Sequence, residues 1–319
     1  MVKPQLGHGD FRTAITLVEL IVIVSVISVL MALTLPAVLG AREASRALQC
    51  QNNLKQIGIG LHNHESTFNR LPSNGWGYNW IGEPERGSGI GQPGGWIYSS
   101  LPFLEQKPVH DIPLGILGAE RFYAMADMLA TPALLFRCPA SSKDALTLNF
   151  IYGGYNNSLA PKLIFESDYA GNGGSKPVES FPGPDSYELA RDYNWREPHE
   201  SNGVFMARFP IRFAQIADGL SNTYLAGEKL MSAETSASSL WGLGDTGGNQ
   251  SAYTGDCQDI RRTCNQAPAR KWRKTNDAFR FGSMHPTTWN ALFADGSVQP
   301  ISYEIDLNVH KRNGSRNDE

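Results

Sequence analysis

The chain has 319 residues, enough for one large domain or two ordinary ones, and 41% of them are hydrophobic, as in a chain with a folded core. Its net charge is −3 and only 18% of its residues are charged, which gives no general case for nucleic-acid binding. The 32 glycines and 19 prolines predict many turns and long surface loops.

The N-terminal region is a short polar segment followed by a long apolar one. The polar segment is slightly basic, with Lys3 and Arg12, and no charged residue occurs over the 22 positions from Leu20 to Ala41. As a helix these positions span about 33 Å, enough to cross a hydrocarbon core of about 30 Å. Because a basic leader marks the cytoplasmic side, we predict a single inner-membrane span with the C-terminal part outside the cytoplasm.

Glu19 is an ionisable residue near the start of the apolar segment. A carboxylate at the edge of a membrane span costs free energy unless it finds a partner, which makes it a functional candidate. A carboxylate at headgroup level in water would have no such role. Taken alone, the position leaves both interpretations open.

The residues on either side of this carboxylate form the run Ala14-Ile15-Thr16-Leu17-Val18-Glu19, which resembles the processing signal of prepilins. The resemblance implies that a prepilin peptidase cuts between Ala14 and Ile15 and methylates the new amine of Ile15. Glu19 then becomes the fifth residue and pairs with the terminal amine of a neighbouring subunit. The family prefers Gly before the cut and Phe after it, and an uncut chain would remain a plain single-pass anchored protein.

Pro36 interrupts the apolar segment, and we predict a helix kink there. One long helix is predicted over residues 15–65, about 75 Å in length. Beyond the proline, small and apolar residues recur at spacings of three and four, which predicts the face that packs on a globular head. They are Ala44, Leu48, Gln51, Leu54, Gly58 and Leu61. His62 and His64 are two residues apart and point to different faces, so we interpret them as polar helix residues rather than metal ligands.

The predicted layout is a leader, an anchor, an amphipathic helix and a head. These parts are residues 1–14, 15–39, 40–70 and 71–319. Within the head, short helices are predicted around 99–106 and 117–130, strands within 201–212, and a strand that ends at Glu228. We interpret residues 148–190 as irregular and 231–275 as an exposed Ser/Gly-rich excursion.

The clearest unit of the head lies near its C-terminal end. Trp289, Ala291 and Phe293 alternate on one face of a predicted strand, and Asp295-Gly296 predicts a hairpin turn in which both residues take positive φ. The return strand is predicted from residue 297 to about 303. His285 and Asp295 are interpreted as structural rather than as a catalytic pair, because no nucleophile motif accompanies them.

Four cysteines occur, and none forms a C-x-x-C pair. Cys257 and Cys264 are close enough in sequence to close a small loop by a disulfide if the head is exported. Cys50 and Cys138 would then be either paired or buried as thiols. All four would be reduced in a cytosolic protein.

Segments along nearly the whole chain resemble a large bacterial group of prepilin-type proteins that carry a domain of unknown function. The segments include ITLVELIVIVSVISVLMALTLPAV, AREASRALQCQNNLKQIGIGLHNH, WIYSSLPFLEQ, FRCPA, NGVF, IADGLSNTYLAGE and the C-terminal H-x9-D-G signature of His285, Asp295 and Gly296. The resemblance implies a type II secretion pseudopilin-like protein with a pilin-like α+β fold. A long kinked N-terminal helix, membrane-spanning in its first half, would support an antiparallel-sheet head with long loops.

The favoured function is that of a structural subunit of a secretion system or surface fibre, in the periplasm or at the cell surface. Its partners would be the prepilin peptidase, other pilin-like subunits and the membrane, but no nucleic acid. The alternative is a membrane-tethered module in which Trp76, Trp80 and Trp96 bind a carbohydrate or polymer. We predict no enzyme, catalytic residue, metal or cofactor. Calcium bound by loop acids remains an open alternative, and the candidates are Asp245, Asp256 and Asp259.

Overall fold

A computed structural model describes residues 16–141, 144–149, 154–195, 201–229, 250–270 and 279–317. The chain divides into two compact units, Met1–Ser45 and Arg46–Glu319. The helices are α1 (Leu17–Phe68), α2 (Trp96–Ser100), α3 (Lys107–His110), α4 (Ala119–Leu129) and α5 (Leu307–Gly314). The strands are β1 (Leu146–Leu148), β2 (Leu163–Phe165), β3 (Tyr169–Asn172), β4 (Tyr224–Glu228), β5 (Arg261–Arg262), β6 (Ala269–Arg270), β7 (Gly282–Ser283), β8 (Thr288–Phe293) and β9 (Val298–Ser302).

The first unit contains the apolar part of α1. Every large apolar side chain from Leu17 to Leu39 is exposed. The hydroxyls of Ser25 and Ser28 donate to carbonyls one turn earlier in the same helix, so these polar groups are satisfied locally. Pro36 lies inside α1, which continues past it, and the kink stays a prediction. By length and composition the helix is compatible with a single-pass membrane anchor or a signal sequence.

The second unit contains the C-terminal part of α1, which packs on the head. Its buried side chains recur at spacings of four and three, as one face of a helix requires, and they are Cys50, Leu54, Ile57, Leu61 and His64. A Cβ on Gly58 would lie 2.8 Å from Leu292 Cδ1, so the glycine allows close approach to β8. The helix ends before Asn69, whose φ of 52° is the left-handed conformation typical of a residue just past a helix C-terminus.

The prediction of the buried face of α1 was correct for the C-terminal residues of that face and wrong for the first ones. Leu54, Gly58 and Leu61 are buried, whereas Ala44 and Leu48 are exposed. Cys50 is the first buried residue of α1. Ala44 and Leu48 therefore have the predicted spacing but are not buried.

The head is built on a five-stranded sheet with the order β5-β3-β4-β8-β9. All neighbouring pairs are antiparallel except β3 and β5, which are parallel. This sheet, together with the short helices, confirms the predicted α+β class. The predicted short helices correspond to α2, which is followed by a 3₁₀ turn at Leu101–Phe103, and to α4.

Strand β8 is buried on both faces. Trp289, Ala291 and Phe293 belong to one apolar cluster, as predicted, and Leu292 belongs to the main core on the other side of the sheet. The β8–β9 hairpin is also where the sequence predicts it, but its turn differs. Gly296 alone takes a positive φ, of 82°, and its N donates to the carbonyl of Phe293, which forms a type I turn followed by a glycine bulge.

Three predictions about the rest of the head were wrong. Residues 201–212 form bends rather than strands, and the segment 148–190, which was predicted to be irregular, contains β2 and the interior strand β3. Most residues from 250 to 264 are buried rather than exposed. The strands β2 and β3 are only three and four residues long, and in all three segments tertiary packing decides the conformation more than the local pattern does.

Candidate functional site

The residues of the predicted processing signal are only partly described. Ala14 and Ile15 lie outside the described residues. Glu19 lies in the first turn of α1, where its Oε2 accepts hydrogen bonds from the backbone N and the hydroxyl of Thr16, both at 2.9 Å. The Glu19 side chain is exposed, so a partner from another molecule can reach it.

His285 belongs to a cluster of four buried side chains. The others are Cys50, Cys138 and Glu228, and one ligand atom of each residue lies within 4.8 Å of the others. His285 Nε2 is 3.3 Å from Glu228 Oε1 and 3.7 Å from Cys138 Sγ. Cys138 Sγ is 3.6 Å from the same Glu228 oxygen. A disulfide joins Cys50 to Cys138. We call these four residues the Cys–Glu–His cluster.

Four separate parts of the chain bring the cluster together. Cys50 lies on α1, and Cys138 follows the 3₁₀ turn Leu134–Phe136. Glu228 is the last residue of β4, and His285 lies between β7 and β8. The disulfide therefore joins the long helix covalently to the head within the main core.

Glu228 is held in a fixed orientation by its neighbours. Its Oε2 accepts hydrogen bonds from the backbone N of Asn290 at 2.7 Å and from Asn290 Nδ2 at 3.2 Å. Asn290 Oδ1 accepts in turn from Gln51 Nε2 on α1 at 3.0 Å. Because these donors engage Oε2, Oε1 is the oxygen that faces His285.

Cys138 is held in place through its backbone. Its N donates to Asp168 Oδ2 at 2.8 Å, and Arg137 Nη1 donates to Asp168 Oδ1 at 3.1 Å. Burial raises the pKa of Asp168 above its ordinary value, although Arg137 and the Cys138 amide act in the opposite direction. The carbonyl of Arg137 accepts from Asn53 Nδ2 at 2.9 Å, which connects this turn to α1.

The other two residues of the C-terminal signature lie away from the cluster. His285 precedes β8 and Asp295 follows it, so the length of the strand, about 17 Å, separates them. Asp295 Oδ1 accepts from the N of Ser297 at 2.8 Å and so stabilises the turn. The carbonyl of Gly296 accepts from Lys55 Nζ at 2.6 Å, which fixes the hairpin tip to α1.

The predicted disulfide between Cys257 and Cys264 is wrong, since both residues are buried thiols. Cys257 lies in the main core beside Thr254, whose Oγ1 is 3.5 Å from its sulfur. Cys264 lies in the cluster on the other side of the sheet, against Gly314. Although the two are close in sequence, they belong to different cores. The pair left over in the sequence argument forms the disulfide instead.

The tryptophans proposed as a carbohydrate-binding surface are buried. Trp76 is 4% exposed and Trp80 is 1% exposed, and they pack with Trp195 in a cluster of their own. Trp96 lies in the main core, where its Nε1 donates to the carbonyl of Ile260 at 2.7 Å. None of the three offers a ring face on which a sugar could stack.

The acids considered for calcium have protein partners. Asp256 accepts hydrogen bonds from Arg261 and Asn74, and it is buried. Asp259 is buried close to Lys229 and accepts from the N of Gln250 at 2.7 Å. Asp245 lies outside the described residues. The two described acids therefore serve contacts within the head.

Sequence reasoning identified His285 but missed its three neighbours in the cluster. Cys50, Cys138 and Glu228 each lie in a segment through which the sequence resembles the prepilin-type group. Treating those segments as parts of one site would have pointed to them. Their spacing along the chain carries no local pattern, because only the tertiary structure brings them together.

The comparisons with known proteins agree with the resemblance over the head and the adjacent helix. A family model described as a protein of unknown function, DUF1559 (SBP_bac_10), matches residues 40–308. No curated protein and no solved structure matches the chain significantly. All four residues of the Cys–Glu–His cluster fall within the matched range, which covers most of the sequence. By this match the chain belongs to the DUF1559 family.

Proposed function

We propose that the protein is a pilin-like or pseudopilin-like subunit, anchored in the inner membrane by the first half of α1, with its head outside the cytoplasm. The exposed apolar surface of this helix carries the proposal. Every large apolar side chain from Leu17 to Leu39 is exposed, and by length and composition the helix could cross a membrane. Burying one large apolar side chain is worth about 1.5–3 kcal/mol, so a helix of this kind requires lipid or neighbouring helices around it.

Glu19 places one ionisable group near the start of this apolar helix, where it can pair with a charge on a neighbouring subunit. It is the single carboxylate between Leu17 and Leu39, and an isolated charge in an apolar bundle is costly. A cut before Ile15 would create a cationic amine on the same helix. Pairing the amine of one subunit with the Glu19 carboxylate of the next removes two isolated charges and fixes the axial offset between subunits. The role is assembly rather than catalysis.

The disulfide supports export of the head. Structural disulfides persist in the periplasm and outside the cell, whereas the cytosol keeps thiols reduced. The Cys50–Cys138 bond lies on the head side of α1, beyond the apolar segment. A head outside the inner membrane, in the periplasm or in a surface fibre, fits both this bond and the basic leader.

The first test is the identity of the mature N-terminus. Mass spectrometry of the protein from membrane and extracellular fractions should find a chain that begins at N-methylated Ile15. Deleting the prepilin peptidase should restore the leader. A mature chain that retains Met1 in cells with an active peptidase would contradict the proposed processing.

The second test is the substitution Glu19→Ala. We expect the head to fold normally, with its disulfide formed, while recovery of the protein in sheared or extracellular fibres falls sharply. Ser25→Ala is the matched control, because its hydroxyl is also exposed on α1 but bonds only within the helix. Normal fibres from the Glu19→Ala protein would refute the pairing role.

A further inference from the structure

We propose that the Cys–Glu–His cluster is a zinc site when its disulfide is reduced, with Cys50, Cys138, Glu228 and His285 as the four ligands. The site would be structural and closed, and it would keep α1 attached to the head in place of the covalent bond. All four ligands lie in the unit Arg46–Glu319, so the proposal stands or falls separately from the proposed role of the apolar part of α1 in assembly.

The spacing of the ligand atoms fits a tetrahedral zinc ion. Zn–N and Zn–O distances of about 2.0–2.2 Å and Zn–S distances of about 2.3 Å place the ligand atoms roughly 3.3–3.8 Å from one another. The observed separations are 3.3 Å for His285 Nε2 to Glu228 Oε1, 3.6 Å for Cys138 Sγ to Glu228 Oε1 and 3.7 Å for Cys138 Sγ to His285 Nε2. The two sulfurs, which are bonded to each other in the structure, would have to separate. Cys50 Sγ lies within 4.8 Å of the other ligand atoms and would have to take up its own position around the ion.

The donor set also selects zinc by its chemistry. Two thiolates, one imidazole and one carboxylate are the ligands that Zn²⁺ takes in proteins, and the thiolates disfavour magnesium and calcium. All four residues are buried, with His285 only 3% exposed. A fourth protein ligand from Glu228 leaves no position for a substrate, which makes the site structural rather than catalytic.

Residues around the cluster hold its side chains and backbone in place by hydrogen bonds, as the outer shell of a metal site does. Asn290 holds Glu228 by its other oxygen, and Gln51 holds Asn290. The backbone of Cys138 is fixed through Asp168, and the carbonyl of His285 accepts from the hydroxyl of Tyr303 at 2.9 Å. Such partners orient ligands and raise metal affinity.

The cluster passes from the disulfide form to the zinc-bound form by reduction followed by metal binding. A dithiol reductant donates two electrons and two protons to the Cys50–Cys138 bond, which becomes two thiols while the reductant becomes a cyclic disulfide. Zn²⁺ then displaces the two thiol protons, which pass to solvent, and binds His285 as the neutral imidazole and Glu228 as the carboxylate. Metal binding is therefore favoured by higher pH, as for other thiolate sites.

The test uses the full chain in detergent micelles, reduced with a phosphine. One water supplies the oxygen of the phosphine oxide and the two protons of the new thiols. After incubation with Zn²⁺ alone and gel filtration, elemental analysis should find roughly one zinc per reduced chain, as a single four-ligand site implies, and almost none in the oxidised chain. Co²⁺ alone should give thiolate charge-transfer absorption and the d–d bands of a tetrahedral site.

Matched variants assign the ligands. Glu228→Gln and His285→Gln should each weaken zinc binding by at least about 10-fold, while Cys257→Ser, which alters a buried thiol outside the cluster, should not. Formation of the disulfide in the oxidised variants reports that they fold. If they do not, the cobalt spectrum of the reduced wild-type chain decides. Lack of zinc, lack of the thiolate band, unchanged binding in the ligand variants, or unfolding of the reduced chain despite added zinc would each overturn the proposal.

Discussion

Removing the Cys50–Cys138 disulfide should destabilise the head by several kcal/mol. The two residues are 88 positions apart, and the chain-entropy account of a cross-link gives about 4.6 kcal/mol at 25 °C for a loop of that length. The bond joins α1 to the head, so the loop it closes includes α2, α3 and α4. Measured effects of native disulfides are typically about 2–5 kcal/mol, and we expect the double variant Cys50→Ala/Cys138→Ala to lie in that range.

The measurement is urea unfolding of the full chain in detergent micelles, followed by tryptophan fluorescence, with a chelator present so that no metal replaces the bond. The oxidised wild type, the double variant and the wild type treated with a phosphine are compared. The two proteins without the bond should have similar unfolding midpoints, well below that of the oxidised wild type. Cys257→Ala is the control, and its response to the phosphine should equal that of the wild type. A difference under about 1 kcal/mol between oxidised and reduced wild type would refute the estimate, since even short closed loops are worth more.

Two further predictions concern His310 and Gly227, which both pack against Trp289. Burial lowers the pKa of His310 from 6.5 to about 4, so the unfolded chain takes up the proton first, and stability falls as the pH falls through that window, by about 3 kcal/mol. In the described structure neither ring nitrogen of His310 has a hydrogen-bond partner, so His310→Leu should remove this part of the pH dependence in unfolding measured from pH 7 to 4. Gly227→Ala should lower the free energy of unfolding by about 1–3 kcal/mol, because the new Cβ would lie 2.4 Å from Trp289 Cζ3. Gly91→Ala is the control and should be nearly neutral, because a Cβ there would have no atom within 4 Å. Equal unfolding midpoints for the two variants would contradict this packing argument.

The elements that were predicted correctly are those that carry a clear signal in their own stretch of sequence. The apolar segment of α1 is recognisable because no charge interrupts it, and β8 is recognisable because Trp289, Ala291 and Phe293 alternate before a turn sequence. The hairpin was placed correctly although its turn type was wrong. Asp295 and Gly296 both tolerate positive φ, but the hydrogen bond from Gly296 to Phe293 puts the bend one residue earlier than a two-residue turn would.

Features that depend on contacts distant in sequence could not be predicted in this way. Proximity along the chain favoured Cys257 with Cys264, yet these residues lie in different cores, while Cys50 and Cys138 meet across the helix–head contact. The interior strand β3 is short and contains Gly171, so its own residues gave no strand signal. Its position depends on pairing with β4 and β5. The cluster around His285 could not be predicted either, because its four residues are distant from one another in sequence.

The attachment of α1 to the head explains why a buried cluster should matter in a protein of the proposed function. Several contacts join the helix to the head within about 12 Å of its length. Among them are the disulfide at Cys50, the hydrogen bond from Lys55 to Gly296, and the packing of Gly58 against Leu292. Force applied to the anchor of an assembling subunit would reach the contact at Cys50 first. A single hydrogen bond contributes only about 1 kcal/mol, whereas a covalent bond or a four-ligand zinc site resists separation far more strongly. We therefore expect the cluster to keep the head attached to the helix under such a force, and a head that stayed attached without either link would show that packing alone is sufficient.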